Sequence, residues 1–426
     1  MRNDLTNNPA QQLKPGTDRP RRLLLCLDGV PHKLIEQAKT RGLFANFGPP
    51  TRLLSPFPTM TNVALAAMFG ASPPPGYESL YFDKSSRELR GGIRKYLGRR
   101  TADKIPSSYM DELDYQEPLA FEFLIYVAPE KVWRADMRRF REKFGAASQN
   151  RDFFAFLKGT DGLLHAQGPE RLATALETLD AILTGIREFC GNETEIVMFS
   201  DHGMNLEENR RVHLASHLKR KGFKVSDRLA SGDRRGVAVP AFGLCSYAAA
   251  YCADQDLIPD VARSLTDVEG IDFVVHRDGE AAIVESQSGS ARIERRTVSG
   301  WPAYAYYAKN GDPFQLTELS AQLKSEAGDF AADDLWYEKT KAHLYPDALA
   351  NVYSALFSSR VKNDADILIS MRDGYYYGWS AFGRFVRLAA THGNARKASS
   401  DAFVMSTHRT FKPCVRADDA RQLLKG

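Results

Sequence analysis

The sequence of 426 residues predicts an α/β protein in which helices sandwich a mostly parallel sheet, with a smaller α+β insert. Three short apolar runs, 23–27, 153–157 and 195–200, each end at or near an aspartate, as strands buried on both faces of a parallel sheet do. Between them, residues 169–189 repeat apolar side chains at helical spacing. Hydrophobic residues make up 43% of the chain, which supports a large core and excludes a disordered or fibrous protein.

The N-terminal elements lead to two polar positions. Residues 23–27 (LLLCL) predict a buried strand that delivers Asp28 to its carboxyl end, and helical periodicity follows. A proline-rich loop over 55–61 then precedes a predicted helix over 62–69, whose first turn lies just after Thr61. We therefore expect Asp28 and Thr61 on the same edge of the fold.

The remaining elements divide the chain into one large domain over 21–426, preceded by a flexible polar tail over 1–20. Strand and turn patterns over 237–338 predict a small α+β cap, after which the α/β pattern returns at 365–371. Residues 84–150 predict a surface insertion that forms a basic lid. Its cations crowd the first part of this segment: Lys84, Arg87, Arg90, Arg94, Lys95, Arg99 and Arg100.

Charge and cysteine content narrow the function classes. The net charge of +4 comes from 57 basic and 53 acidic residues, so nothing in it indicates a nucleic-acid partner. The five cysteines are scattered without a CxxC pair, which favours a reducing compartment over a disulfide framework or a cysteine zinc site. The N-terminal segment lacks the apolar core of a signal peptide, and no apolar run could span a membrane. We expect a cytoplasmic protein.

Acidic side chains follow three of the predicted strands, at Asp28, Asp161 and Asp201. Open α/β sheets bind ligands at this edge, and three converging carboxylates would repel one another unless cations lie between them. Carboxylate and imidazole together suit zinc or a similar divalent ion. The accompanying histidines are His165, His202 and His392.

Each of these residues can also have a purely structural role. Asp28 alone is more often a turn or helix-capping residue, and Asp161 with His165 can be an exposed pair on a helix. A single histidine such as His392 is usually solvated or satisfied by a neighbour. The pair Asp201-His202 is more specific, because two polar residues directly after a buried apolar strand are unusual. Thr61 can be a plain helix cap, or a nucleophile whose pKa a metal ion lowers.

The order and spacing of these residues resemble the alkaline phosphatase superfamily. Within it, the sequence looks most like the nucleotide pyrophosphatase/phosphodiesterase (type I phosphodiesterase) branch. The resemblance covers about residues 23–407. It depends on five motifs: Asp28 in LDGV, Thr61 in FPTMT, Asp161 and His165 in DxxxH, Asp201 and His202 in SDHGM, and His392 in THG.

The resemblance implies two divalent metal ions, zinc with manganese as an alternative. One metal takes Asp28, Asp201, His202 and Thr61 as ligands. The other takes Asp161, His165 and His392. It also implies that Thr61 attacks the phosphorus and forms a covalent phospho-threonine, which water then hydrolyses, while two cations clamp the phosphoryl group.

Near Thr61, the sequence differs from the motifs of the branch that it resembles. The branch places an asparagine after an HGI motif to hold a phosphoryl oxygen, whereas the corresponding stretch here, 76–83, contains none. Asn62 or Tyr81 can supply the missing donor. The sulfatase C/S-x-P-x-R motif and the serine motif of cofactor-independent phosphoglycerate mutases are both missing.

The sequence thus predicts a two-metal phosphohydrolase for a small phosphoester or nucleotide-like substrate, most simply a phosphodiesterase or nucleotide pyrophosphatase. A phosphomonoesterase or a phosphonate hydrolase on the same scaffold is the alternative. A non-catalytic metal- or phosphate-binding protein is a third possibility, against which the intact Thr61 argues.

Overall fold

The computed structural model describes residues 22–92, 108–118, 124–125, 128–148, 151–324, 328–379 and 387–425. The predicted N-terminal tail lies outside these residues, as do Arg94, Lys95, Arg99 and Arg100 of the predicted basic lid. Within the described part of the chain, no helix is both long enough and apolar enough to cross a membrane.

The strands are numbered β1 to β21 in chain order. Their bounds are Arg22–Leu27, Thr51–Leu54, Leu80–Asp83, Glu88–Gly91, Tyr115–Gln116, Phe153–Leu157, Glu195–Phe199, Arg210–Arg211, Lys224–Val225, Gly236–Ala238, Leu244–Cys245, Tyr247–Cys252, Ile271–Asp278, Ala281–Ser286, Gly289–Val298, Trp301–Lys309, Ala331–Ala332, Ile367–Met371, Tyr375–Gly378, Asp401–Ser406 and Cys414–Arg416.

The α-helices are numbered α1 to α12. Their bounds are His32–Thr40, Thr61–Phe69, Pro129–Gly145, Gly159–Gln167, Pro169–Cys190, Leu214–Arg220, Ile258–Thr266, Thr317–Gln322, Asp333–Thr340, Ala348–Phe357, Lys397–Ser400 and Ala420–Lys425. Short 3-10 turns cover Tyr109–Glu112, Gln255–Leu257 and Ala417–Asp419.

A seven-stranded sheet forms the centre of the protein, in the order β21-β2-β20-β7-β1-β6-β5. All neighbouring pairs are parallel except those of β20, so the predicted mostly parallel sheet is confirmed. In the middle of the sheet, Leu25 lies between Ala155 of β6 and Met198 of β7, and all three side chains are fully buried. The carboxyl ends of β1, β6 and β7 therefore meet at one edge.

Helices cover both faces of this sheet, because its strands carry apolar side chains in both directions. On one face, α1, α3, α4 and α5 pack their apolar sides into one cluster with Leu25 and Met198. On the other face, α2 and α12 pack against residues such as Phe154 and Phe199. The predicted sandwich of helices around a mostly parallel sheet is thus the architecture of this central unit.

The described part of the predicted lid contributes to the central unit. Strand β5 extends the central sheet beside β6, and the apolar stripe of α3 is buried in the core beneath it. The spacing of Trp133, Met137 and Phe140 thus reflects packing. The apolar side chains of α3 therefore help to complete one face of the central sheet.

A second sheet of nine strands follows the order β17-β16-β15-β14-β13-β18-β12-β10-β9. It is antiparallel apart from the β9–β10 pair. Strand β18 lies in its middle, so the run 365–371 belongs to this sheet and not to the central one. Leu368 packs into one core cluster, while Ile367 and Ile369 pack into another. Because both faces of β18 are buried, its sequence is as continuously apolar as that of a strand in a parallel sheet.

Candidate metal centre

Three carboxylates converge at the carboxyl edge of the central sheet. Asp28 directly follows β1, Asp201 comes two residues after the end of β7, and Asp161 lies in the first turn of α4, just after β6. Asp28 is 3% exposed and Asp201 is fully buried. The backbone N–H of Gly29 donates to Asp201 Oδ1 at 3.1 Å, which joins the ends of β1 and β7. Parallel pairing thus brings together residues up to 173 positions apart in the chain.

The first group of side chains surrounds His202. Its Nε2 atom lies 3.4 Å from Asp28 Oδ1 and 3.3 Å from Asp201 Oδ2. Thr61 stands at the start of α2, and its hydroxyl oxygen lies 3.3 Å from both Asp28 Oδ1 and His202 Nε2. One ligand atom each of Asp28, Asp201 and His202 lies within 4.8 Å of the others, which is close enough to hold one cation.

The second group surrounds Asp161. Its Oδ1 atom lies 3.3 Å from His165 Nε2 and 3.6 Å from His392 Nε2. The compact set of ligand atoms here consists of Asp161, His392 and His202, whose ring stacks on His392 with 3.9 Å between centroids. His202 thus lies between the two groups. All six predicted ligands and Thr61 are brought to one place by the fold.

Backbone carbonyls orient all three histidines. The Nδ1 atom of each ring lies 2.8 to 2.9 Å from a carbonyl oxygen: His165 from Ala390, His202 from Gly203, and His392 from Thr59. A carbonyl only accepts, so Nδ1 carries a proton, and in the neutral ring Nε2 presents a lone pair to the space between the carboxylates. This is the arrangement by which outer contacts fix the tautomer of a metal-binding histidine.

Burial shapes the charge of the first group. It raises the pKa of Asp28 well above its usual range, and the carboxylates of Asp201 and Asp161 raise it further. Burial also raises the pKa of Asp201 to about 6. It lowers the pKa of His202 to about 4 and that of His392 to about 3. Both rings are therefore neutral at pH 7, the form in which imidazole binds a metal.

Asp161 and His165 behave as a pair. Burial pushes the pKa of Asp161 upwards, but its attraction to the protonated form of His165 outweighs burial and holds this pKa below the usual range. Burial likewise lowers the pKa of His165, and the Asp161 carboxylate more than compensates, so that this pKa is raised. Asp161 therefore stays ionised and supplies the second group with its negative charge.

Two carboxylate oxygens in this centre have no hydrogen bond. Asp161 Oδ1 and Asp201 Oδ2 are both buried, and no donor among the described residues satisfies them. Buried polar atoms without a partner are costly, and such atoms in a native protein point to an unrecorded water or ion. Together with three lone pairs aimed at the same space, they fit a site for divalent cations.

Two glycines make the close approach possible. Gly29 has a φ of +68°, and a Cβ atom there would lie 2.9 Å from Asp161 Oδ1, inside the centre. Gly203 follows His202, and a Cβ atom there would lie 2.4 Å from the carbonyl oxygen of Ala398 and 2.7 Å from that of Asp401. The glycine of the SDHGM motif is thus required by backbone packing.

Three polar residues near the centre were not predicted from the sequence. Thr59 accepts from the backbone N–H of Gly393 at 2.9 Å through its hydroxyl, while its carbonyl holds His392. Asn205 accepts from the N–H of Thr391 at 3.0 Å and thereby ties the loop after His202 to the loop of His392. Thr59 lies inside the FPTMT motif and Asn205 directly follows the SDHGM motif. Their positions next to predicted site residues could therefore have indicated that they belong to the site.

The third is Tyr109, which had no sequence signal. Its hydroxyl donates to Asn62 Oδ1 at 2.8 Å, across 47 positions of the chain. This contact fixes the side-chain amide of Asn62 beside Thr61 at the start of α2. Tyr81, the other predicted donor, lies on the β3–β4 hairpin opposite Arg90, and its contact with substrate remains a prediction.

The mostly parallel sheet with its buried Asp/His centre and a threonine at a helix start defines a phosphohydrolase of the alkaline phosphatase superfamily. The sequence model of type I phosphodiesterase / nucleotide pyrophosphatase matches residues 79–374, more than half of the chain. The chain therefore belongs to this family and is a hydrolase of phosphoester or pyrophosphate bonds. Asp161, His165, Asp201 and His202 lie within the matched range, whereas Asp28, Thr61 and His392 lie outside it.

Solved structures resemble the fold over nearly its whole length. Phosphonoacetate hydrolase from Sinorhizobium meliloti 1021, in complex with phosphonoformate, is 14% identical, with 96% of each chain covered and a TM-score of 0.51. Human ectonucleotide pyrophosphatase / phosphodiesterase 5 is 12% identical, with 94% of this chain and 93% of that chain covered and a TM-score of 0.48. No curated protein sequence matches the chain significantly.

The packing of Gly203 can be tested by substitution. Gly203→Ala should lower the free energy of unfolding by about 1–3 kcal/mol or more, because the new methyl group must displace backbone carbonyls. Gly48→Ala is the matched control, since a Cβ atom there meets its nearest neighbour at an ordinary 3.5 Å. Urea denaturation measures both. Equal stability of the two variants would contradict the steric role of Gly203.

Proposed function

We propose that this chain is a two-metal phosphodiesterase or nucleotide pyrophosphatase that works through a covalent phospho-threonine at Thr61. The observation that carries the proposal is the position of the Thr61 hydroxyl, 3.3 Å from Asp28 Oδ1 and from His202 Nε2, at the first residue of α2. The side chain is half-buried and therefore reachable by a substrate phosphoryl group.

Six side chains would hold the two metals. Asp28, Asp201 and His202 would bind one together with Thr61. The other would be bound by Asp161, His165 and His392. The pairing of carboxylate with neutral imidazole favours zinc, with manganese as the alternative. When bound, the metals would supply Lewis-acid stabilisation of the transferring phosphoryl oxygens and a lowered pKa for the Thr61 hydroxyl.

Thr61 acts as the nucleophile in this proposal. Its Oγ1 forms a bond to phosphorus while the bond from phosphorus to the leaving oxygen breaks, and water later cleaves the phospho-threonine. The first turn of α2 leaves backbone N–H groups without partners inside the helix, and the helix dipole places partial positive charge there. Both effects favour a phosphoryl group at this helix start.

Asn62 supplies a further donor to the phosphoryl oxygens. Because Tyr109 donates to Oδ1, the amide oxygen is occupied and the Nδ2 donor remains for the substrate. A positioned donor of this kind stabilises the charge that develops on the transferring group. Asn62 would thus replace the asparagine that the stretch 76–83 lacks.

We also propose that the enzyme works in the cytoplasm on a small phosphoester or nucleotide-like substrate. All five cysteines are free, two of them only partly buried, which supports a reducing compartment. A monoesterase or phosphonate hydrolase is the alternative chemistry on this scaffold, and a comparison of substrates separates the two.

The nucleophile is tested by Thr61→Ala. We expect turnover of bis(p-nitrophenyl) phosphate to fall by at least about 10³-fold, because the bond-forming oxygen is lost. Thr61→Ser should retain part of the activity. Metal content, measured by elemental analysis, should be retained in both variants, because Asp28, Asp201 and His202 would still hold the metal that Thr61 contacts. Undiminished turnover by Thr61→Ala would contradict the assignment. Faster cleavage of p-nitrophenyl phosphate than of the diester by the unmodified enzyme would favour the monoesterase.

The metals are tested by chelation. Removing divalent ions should lower the melting temperature by at least about 5 °C, because three carboxylates then repel one another and ligand-binding stabilisation is lost. Calorimetry with and without a chelator measures the shift. Asp201→Asn is the matched variant. It should bind metal more weakly and respond less to the chelator. An identical response of both proteins would contradict Asp201 as a ligand.

The role of Asn62 is tested through its neighbour. Asn62→Ala should lower kcat by roughly 10²-fold, since a positioned donor to the transition state is lost. Tyr109→Phe removes one hydrogen bond and should lower kcat by about three- to tenfold. Tyr375→Phe, which removes a hydroxyl that donates to Glu269, is the control and should leave kcat unchanged. If Tyr109→Phe and the control behave alike, Tyr109 does not position Asn62.

A further inference from the structure

Glu78 is a partly buried carboxylate that the metal centre does not use. It lies just before β3. Its Oε2 atom accepts from the backbone N–H of Gly243 at 2.5 Å, and its Oε1 atom accepts from the hydroxyl of Tyr247 at 2.9 Å. These two neutral donors hold the carboxylate in one orientation. Because an ionised carboxylate offers about four lone-pair sites, both oxygens can still accept a further hydrogen bond.

No cation balances the charge of Glu78 within the part of the chain that the structure describes. Its hydrogen-bond donors there are Gly243 and Tyr247, and it forms no ion pair with a lysine, an arginine or a histidine. Burial raises the pKa of Glu78, and the two hydrogen bonds oppose this rise. Carboxylates that are shielded from water are normally paired with a cation, so the missing counter-charge points to a ligand.

Cys245 lies between Glu78 and the metal centre. A Cβ atom at Gly243 would lie 2.5 Å from Glu78 Oε2 and 3.1 Å from Cys245 Sγ, so both side chains face the same backbone position. Burial raises the pKa of the Cys245 thiol well above its usual range, and the negative charges of Glu78, Asp161 and Asp28 raise it further. The carboxylate of Glu78 and two of the proposed metal ligands thus surround one cysteine.

The residues that hold Glu78 also pack against the loop of His392. A Cβ atom at Gly393, the next residue, would lie 3.0 Å from Cδ1 of the Tyr247 ring. The backbone N–H of Ser246 donates to the carbonyl oxygen of His392 at 2.6 Å. The tyrosine that orients the Glu78 carboxylate therefore contacts the loop that carries a proposed metal ligand, and the carboxylate has a fixed position relative to the metal centre.

We propose that Glu78 is a specificity residue that binds a positively charged amino group on the organic part of the substrate, while the metal centre holds the phosphoryl group. This inference rests on the proposed function and adds the substrate class: phosphoesters that carry a primary ammonium group a few bonds from phosphorus. An ammonium group has three N–H donors and a full positive charge, which match the free lone pairs and the missing counter-charge of Glu78. Bound metals would neutralise the carboxylates of the centre, so Glu78 would remain available for a substrate cation.

The test is titration calorimetry with the full chain, loaded with zinc and carrying Thr61→Ala so that no turnover takes place. The probes are two matched pairs of phosphate monoesters: 2-aminoethyl with propyl phosphate, and 3-aminopropyl with butyl phosphate. Within each pair an ammonium group replaces a methyl group of the same position. We expect at least one amino ligand to bind roughly tenfold or more tightly than its neutral partner, because a charge-assisted hydrogen bond to Glu78 is gained.

Adding Glu78→Gln should abolish this preference and leave the affinity for the neutral ligand unchanged, because glutamine keeps the size of the side chain but not its charge. Glu177→Gln, at an exposed residue of α5, is the matched control and should retain the preference. Thermal unfolding shows whether both variants fold.

Equal affinities within both pairs before Glu78 is changed would overturn the proposal, even if Glu78→Gln fails to fold. A preference that survives Glu78→Gln in a folded protein would also overturn it. In either case measurable binding of the phosphate monoesters leaves the proposed function intact. If none of the four ligands binds, the proposed phosphoryl site fails together with the role of Glu78.

Discussion

The mutual repulsion of Asp28, Asp161 and Asp201 is the constraint on which the rest of this structure depends. Parallel strands deliver all three carboxylates to one edge of the central sheet, and two of them are almost completely shielded from water. Burial makes each charge more costly and each neighbouring charge more strongly felt. Imidazole nitrogens and carboxylate oxygens without hydrogen bonds surround one common space between these residues. Cations bound in that space would stabilise the arrangement.

Backbone contacts make this arrangement rigid. His392 reaches the centre from the C-terminal part of the chain, and the carbonyl of Thr59 holds its ring while the hydroxyl of Thr59 receives the N–H of Gly393. The segment that orients a proposed metal ligand is therefore the same one that leads to Thr61. Asn205 adds a second tie, between the loop after His202 and Thr391. A shift of the segment at Thr59 would therefore move both Thr61, the proposed nucleophile, and His392, a proposed metal ligand.

Much of this centre was predictable because the proposed metal ligands Asp28, Asp161 and Asp201 closely follow strands β1, β6 and β7 in the sequence. The apolar runs before Asp28, Asp161 and Asp201 are buried on both faces, which gives them an unmistakable pattern, and the histidines sit within a few residues of them or in a short motif. Tyr109 was not predictable, because its contact with Asn62 crosses 47 positions of the chain and involves common residue types. Strand β18 was placed in the wrong sheet because a doubly covered antiparallel strand has the composition of a parallel one.

The central claim, that these residues form a two-metal centre, is tested most directly by anomalous diffraction from crystals grown with zinc. The account predicts two anomalous peaks about 3.5–4 Å apart. One should lie among Asp28, Asp201, His202 and Thr61, and the other among Asp161, His165 and His392. A single peak, or peaks outside this cluster at full zinc occupancy, would contradict it.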